Sequence, residues 1–348
     1  MLPTSEMAAQ MRRWKMIFIR HTLVLPCIVT AGLLLEALAQ ETPCLRRTVM
    51  ASVLTLAGQP VASVPTSSFK GEFRGKPVRI LSATRDLGPR RIVVLLDASG
   101  SMLESSNGKW LLARRAASDL VMTASPEFQM ALLVFAKKVD AVVGFAEGRK
   151  ATAEKLTALG AGTKAFPKGP RLTALYDAIL VALGMLEPAH PGDIIYAITD
   201  GGDNASRARP DKVEHALLAA GVRFFTFLLL PYRTRPPEEM AGLFDLPRLA
   251  EATGGNALFT PGSQRYGRGY KLDEKEQAAL GFSLKMLYSQ MIQFYRLEVE
   301  LPEPVTKPRR WKLEMVNERG AKMKEWQVAY QATLLPCKST AERSKENK

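Results

Sequence analysis

Apolar residues in the middle of the chain come as short unbroken runs that stop abruptly at an acid. Arg91-Ile92-Val93-Val94-Leu95-Leu96 ends at Asp97, and Ile194-Ile195-Tyr196-Ala197-Ile198-Thr199 ends at Asp200. Runs of β-branched residues and leucine without polar alternation predict strands buried on both faces, as in a parallel sheet covered by helices. The pattern after Asp97 predicts a helix from about Lys109 to Thr123, strands near Gln129 to Phe135 and Ala141 to Phe145, and a helix near Thr152 to Leu159. A helix beginning at Thr173 runs to about Leu186, where Glu187-Pro188 stops it. Strand Ile194 to Thr199, helix Pro210 to Ala220, strand Val222 to Leu230, helix Leu246 to Thr253, strand Ala257 to Phe259 and helix Asp273 to Gln293 follow. Strands alternating with helices in this way predict a doubly wound α/β domain with a mostly parallel sheet.

The flanks read differently. Thr48 to Leu54 is rich in β-branched residues, Gly58-Gln59-Pro60 reads as a turn, and Phe69 to Ser82 as two short strands around Arg74-Gly75-Lys76. Toward the other end, Trp311, Leu313 and Met315 alternate with Lys312 and Glu314, and Trp326, Val328, Tyr330 and Ala332 alternate with Gln327, Ala329 and Gln331. A period of two marks half-buried antiparallel strands. The expected organisation is therefore an amino-terminal β segment over residues 40–88, the α/β domain over 89–292, and a carboxyl-terminal β segment over 293–337 that pairs with the first in a small accessory β domain. Residues 338–348 are polar and charged and read as a disordered tail.

The first 39 residues read as an address. Arg12, Arg13, Lys15 and Arg20 form a basic region, Leu23 to Leu35 a largely apolar core, and Ala37-Leu38-Ala39 a small-residue cleavage site before Gln40. Pro26 interrupts the core and stands where a small residue would be wanted before a lipidated Cys27, so a secretory signal is expected rather than an anchor or a lipoprotein box. No other segment is long and apolar enough to cross a membrane, and the mature chain is expected in the periplasm or outside the cell.

The chemistry gathers where the apolar runs stop. Asp97, Ser99 and Ser101 place one carboxylate and two hydroxyls within five residues, with Gly100 allowing a tight turn between them. In open α/β sheets the carboxyl ends of the strands are where ligands sit. Two readings stand at this point: the oxygens converge on a small hard cation, or they cap the following helix. Thr173 and Asp200, each at the edge of its own element, add a third hydroxyl and a second carboxylate.

With those residues the sequence resembles the von Willebrand factor type A domain over roughly residues 90 to 292. Asp97, Ser99, Ser101, Thr173 and Asp200 fall in the order of that family's metal-ion-dependent adhesion site. The wording from Ser52-Val53-Leu54-Thr55 to Gly75-Lys76-Pro77-Val78 also resembles the segment preceding the type A domain in a bacterial group of exported proteins. The resemblance implies direct coordination by Ser99, Ser101 and Thr173, with Asp97 and Asp200 acting mostly through water. It implies magnesium as the cation, with manganese or calcium as alternatives, and an open coordination place for an Asp or Glu side chain of a partner protein. Pro170-Arg171-Leu172 departs from the Gly-Gly or Gly-x that many members carry before the threonine, leaving Arg171 either near the cation or simply exposed. Asp203 and Asn204 read as shaping their loop.

Composition narrows the function. Removing residues 1–39 takes away four basic and two acidic side chains, which lowers the formal charge from +14 to +12. The basic residues are spread along the chain without a nucleic-acid-binding motif, so solvated faces account for them and no nucleic-acid partner is expected. His190 and His215 lie near no recognised nucleophile motif, and no glycine-rich loop ends in Lys-Ser or Lys-Thr. An exported, non-enzymatic, adhesion-type module that captures an acidic group through a divalent cation is the reading; a structural component of an envelope assembly, or a hydrolase, is the alternative. Cys44 and Cys337 are the two cysteines left after export, and in an oxidising compartment they are expected to pair across the accessory domain.

Overall fold

The computed structural model describes residues 45–103, 108–159, 172–229, 237–260 and 272–337. The export signal over 1–39, Cys44, Arg171 and the tail over 338–348 lie outside the described residues. Arg47–Lys348 form one compact unit; of the other, Met1–Arg46, only Leu45 and Arg46 are described.

The chain begins with strands β1 (Arg46–Thr55), β2 (Phe69–Phe73) and β3 (Lys76–Asp86). A two-residue turn joins β2 to β3, with Arg74 (φ 53°) and Gly75 (φ 77°) both left-handed, the backbone that the twist of a tight hairpin favours. The α/β region opens with β4 (Arg91–Asp97), a single turn of helix α1 (Gly100–Leu103) and α2 (Lys109–Thr123). It continues with β5 (Gln129–Phe135), β6 (Val139–Val143), α3 (Gly148–Ala158) and α4 (Leu175–Met185). Next come β7 (Ile194–Thr199), α5 (Pro210–Ala220), β8 (Arg223–Leu228), α6 (Pro237–Ala252), β9 (Ala257–Phe259) and α7 (Glu274–Ile292). The last strands are β10 (Phe294–Glu300), β11 (Arg309–Arg310), β12 (Lys312–Met315), β13 (Trp326–Tyr330) and β14 (Thr333–Leu334).

Among the described residues two six-stranded sheets form. The first has the order β6-β5-β4-β7-β8-β9, parallel except for the antiparallel edge strand β6. Successive residues of β4 serve opposite cores: Ile92, Val94 and Leu96 meet α2 and α7 on one face, while Val93 and Leu95 meet α4, α5 and α6 on the other. This two-sided burial is why the run carries no polar alternation, and each such side chain contributes roughly 1.5–3 kcal/mol. Strand order reverses at β4, which is followed on one side by β5 and flanked on the other by β7. A crevice therefore opens between the carboxyl ends of β4 and β7.

The second sheet, β12-β2-β3-β10-β1-β13, is built from both flanks of the chain, as the accessory β domain requires. Trp311, Leu313 and Met315 bury as their alternation predicts. The strand that joins the flanks, β10, falls within the expected carboxyl-terminal β segment but is not picked out there as a strand, although Tyr295, Leu297 and Val299 alternate with Arg296, Glu298 and Glu300. Only Gln293 separates it from α7, so the helical pattern hides its start. β10 pairs antiparallel with β3 from Phe294↔Asp86 to Glu300↔Arg79.

Three further boundaries differ from expectation. Helix α6 begins at Pro237 rather than Leu246 and carries Pro247 inside it. A proline is tolerated in the first helical turn but reads as a breaker in the interior, which is why the sequence suggested a later start. Strand β6 lies two residues earlier than Ala141 to Phe145, and α3 starts four residues before Thr152.

Two buried guanidinium groups lock the sheets together around Phe294. Arg223, at the head of β8, is fully buried and donates to Ser52 Oγ in β1 (2.9 Å), to the Gly254 carbonyl (3.0 Å) and to the Gln290 carbonyl (3.2 Å). Its guanidinium lies 4.8 Å from the centre of the Phe294 ring, and that of Arg90 lies 4.5 Å from the same ring. Arg90 pairs with Asp86 at 2.6 Å.

Candidate metal centre

The site begins where β4 runs out. Asp97 is fully buried, and the Ala98 amide carries the β5 ladder one step further by donating to the Phe135 carbonyl at 2.7 Å. The chain then folds back on the aspartate, because the Ser99 amide donates to Asp97 Oδ1 at 2.8 Å. The Met102 and Leu103 amides close on the Ser99 carbonyl, both at 3.0 Å, to start α1. This turn sets Ser99 Oγ 3.2 Å from Ser101 Oγ.

The second oxygen of Asp97 is held from the neighbouring strand. Thr199 Oγ1 donates to Asp97 Oδ2 at 2.6 Å and accepts the Gly201 amide at 3.0 Å, so one hydroxyl ties the ends of β4 and β7 together. Asp200, the next residue, is also fully buried. Burial, and then the neighbouring Asp200 carboxylate, push the Asp97 carboxyl up to about 7, against the hydrogen bonds from Thr199 and Ser99.

Thr173 is buried two residues ahead of α4, and its backbone is held by the loop after β7. Its amide donates to Asn204 Oδ1 at 2.8 Å, and its carbonyl accepts the amides of Asn204 and Ala205, both at 3.0 Å. The Ala174 amide donates to the Ala136 carbonyl beyond β5 at 2.8 Å. Asp203 accepts the Tyr176 amide at 3.0 Å and the Ser206 hydroxyl at 2.5 Å, while Asp177 accepts the Arg207 and Ala208 amides at 3.0 and 2.9 Å. Residues 203–208 are thus zipped onto residues 173–177. Asp203 and Asn204 shape the loop, as the sequence suggests.

The donor set fits a small hard cation. Two carboxylates are buried close enough that Asp200 raises the proton affinity of Asp97, and two hydroxyl oxygens stand together at the mouth of the strand-order crevice. Among the described residues no three His, Cys, Asp or Glu side chains stand together as a metal site, so a cation here relies on hydroxyl oxygens.

The family model for the von Willebrand factor type A domain matches residues 92–202, a span that opens in β4, contains all five candidate positions and closes two residues after Asp200. The chain carries a von Willebrand factor type A domain. Domains of this family are protein-interaction or adhesion-type modules. No curated protein matches the chain by sequence. Among solved structures it is similar to proximal thread matrix protein 1 from the mussel byssus, at 15% identity and a TM-score of 0.43, over 63% of this chain and 51% of that one. It is also similar to a von Willebrand factor type A protein from Catenulispora acidiphila, at 12% identity and a TM-score of 0.41, over 84% of this chain and 75% of that one. The conserved hypothetical protein BatB from Bacteroides thetaiotaomicron aligns at 17% identity and a TM-score of 0.39, over 57% of this chain and 98% of that one. The chain spans about half the length of the mussel protein.

One residue of the type A domain's site has no counterpart in the sequence reading. Lys109, the first residue of α2, sends its ammonium to Asp200 Oδ2 at 2.6 Å, with both side chains buried. Ninety-one positions separate the pair, and a lysine opening a helix is ordinary in sequence. Nothing short of the fold reveals it.

Proposed function

We propose that the type A domain binds a divalent cation, magnesium before manganese or calcium, at Asp97, Ser99, Ser101, Thr173 and Asp200, and uses it to capture an Asp or Glu side chain of a partner protein. The observation that carries this reading is the pair of fully buried, interacting carboxylates, Asp97 and Asp200, together with the two adjacent hydroxyls of Ser99 and Ser101 on the turn that follows Asp97. Hydroxyl ligands leave a cation more of its positive charge than carboxylates would, and that charge favours an incoming anion. The Thr199 and Ser99 bonds to both Asp97 oxygens suit an aspartate that orients waters rather than one that touches the metal.

In this reading the protein is exported, works in the periplasm or outside the cell, and performs no catalysis. The accessory sheet carries the type A domain, and the Cys44–Cys337 disulfide closes the chain's flanks. Among the described residues no helix is long and apolar enough to cross a membrane. The buried Lys109–Asp200 pair favours a second reading, a structural component whose site is neutralised without metal. Capture of envelope proteins by the immobilised chain, in magnesium and in chelator, separates the two. Partners retained only in magnesium, and lost by Asp97→Ala, support adhesion; identical capture in chelator supports the structural role.

A further inference from the structure

The five proposed ligands lie at the end of β4, on the turn into α1, ahead of α4 and just past β7, whereas Lys109 enters the site from α2. Its side chain is 4% exposed and that of Asp200 0%, so their 2.6 Å contact is shielded from water and from salt. Removing one member of such a pair leaves an unpaired charge in the interior, which is strongly destabilising. Asp97 and Asp200 repel each other, and the lysine ammonium relieves that repulsion without any bound ion. A divalent cation drawn to the same carboxylates meets a like charge a few ångströms away.

We propose that Lys109 is a resident counter-ion that competes with the divalent cation for Asp200. It lets the domain fold with its adhesion site closed to partners, and metal loads only by displacing the ammonium from Asp200 Oδ2. This inference rests on the metal-binding reading above and adds regulation to it. The lysine sets a threshold: the site stays neutral at low cation concentration and opens to acidic partners when the concentration rises.

The test uses the full chain, manganese as the probe, calorimetric titration for affinity, and thermal unfolding in chelator and in manganese. Lys109→Met keeps the length and apolar stem of the side chain and removes its charge. Because the like charge is gone, manganese should bind Lys109→Met about tenfold or more tightly than the parent chain. The melting temperature of the variant should fall in chelator and recover in manganese, while that of the parent chain moves less. Lys109→Arg, which retains a cation, should stay close to the parent in chelator. If Lys109→Met is too unstable to titrate in chelator, recovery of its folded circular dichroism on adding manganese still supports the proposal, and failure to recover overturns it. Equal or weaker manganese binding by a folded Lys109→Met overturns the lysine's role and leaves the metal site standing. No manganese binding by either chain overturns both.

Discussion

Asn204 grips Thr173 by both backbone groups: its side-chain oxygen accepts the threonine amide at 2.8 Å, and its own amide donates to the threonine carbonyl at 3.0 Å. The loop after β7 therefore fixes the backbone of Thr173, the proposed ligand ahead of α4. Asn204→Ala should leave the fold in place, at a cost of about 1 kcal/mol for the lost hydrogen bond, yet lower manganese affinity by displacing the threonine hydroxyl. Calorimetry and urea unfolding on the same sample check it. An unaltered affinity would show that the loop does not position Thr173 for metal.

Gly242 in α6 stands against the backbone of Gly201, where an added Cβ would lie 1.8 Å from the Gly201 oxygen. No rotamer relieves a clash between backbone atoms. Gly242→Ala should cost about 1–3 kcal/mol or more and shift the segment directly after Asp200. Gly281 in α7 has nothing within 4 Å of its added Cβ, so Gly281→Ala should stabilise the chain by up to about 1 kcal/mol through helix propensity. Denaturant midpoints of the two variants should move in opposite directions.

Asp86 gives the protein an acid-sensitive joint. Burial raises its carboxyl, but hydrogen bonds from Arg90, from the Gly88 amide and from Arg296 outweigh burial and hold it below the ordinary 3.8. A depressed folded value means that the unfolded chain takes up the proton first, so the stabilisation is present above about pH 4 and is lost as pH falls through the folded value. Asp86→Asn should cost about 3 kcal/mol at neutral pH, since it strips the buried Arg90 of its carboxylate. The gap between parent and variant should close in acid; unfolding curves that stay parallel from pH 7 to pH 3 would refute the linkage.

The carboxyl-terminal segment runs beside the start of β1, where Arg47 donates to Cys337 Sγ and reaches the Leu335 carbonyl at 3.5 Å. Arg47 follows Cys44 by three residues in the sequence. The pairing of Cys44 with Cys337 that the sequence leads one to expect requires that the exported chain show no titratable thiol until reduced. Reduction should lower its stability by up to about 4–5 kcal/mol, the entropic value of so long a loop. Two free thiols in the exported protein would dismiss the pair.

The buried strands were the most legible part of the chain. β5 and β7 begin and end where expected, because a strand covered on both faces must be apolar throughout and stop where polar side chains resume. The strand ends at Asp97 and just before Asp200 were legible because the apolar runs of β4 and β7 stop there. Lys109 was not, since a salt bridge between positions 109 and 200 leaves no local pattern. Nor was β10, whose seven residues follow a 19-residue helix with a single residue between them. Its role is topological, and alternation over so few residues does not announce that both flanks of the chain meet there.

The pairing of β3 with β10 has a mechanical consequence. The polypeptide leaves the accessory sheet through β3 and returns to it through β10, so the type A domain hangs between two adjacent strands. Tension between the accessory sheet and the type A domain loads β3 and β10 side by side in the same direction, over the ladder from Arg79↔Glu300 to Asp86↔Phe294, and the bonds of Arg90 and Arg296 to Asp86 clamp its domain end. Those bonds lie at the amino end of β4, and the six residue steps from Arg91 to Asp97 put the candidate site about 20 Å away at its other end. A partner held at the crevice and a scaffold pulling on the flanks thus load opposite ends of one buried strand. The buried strand β4 is the path along which a pull at one end of the type A domain reaches the other.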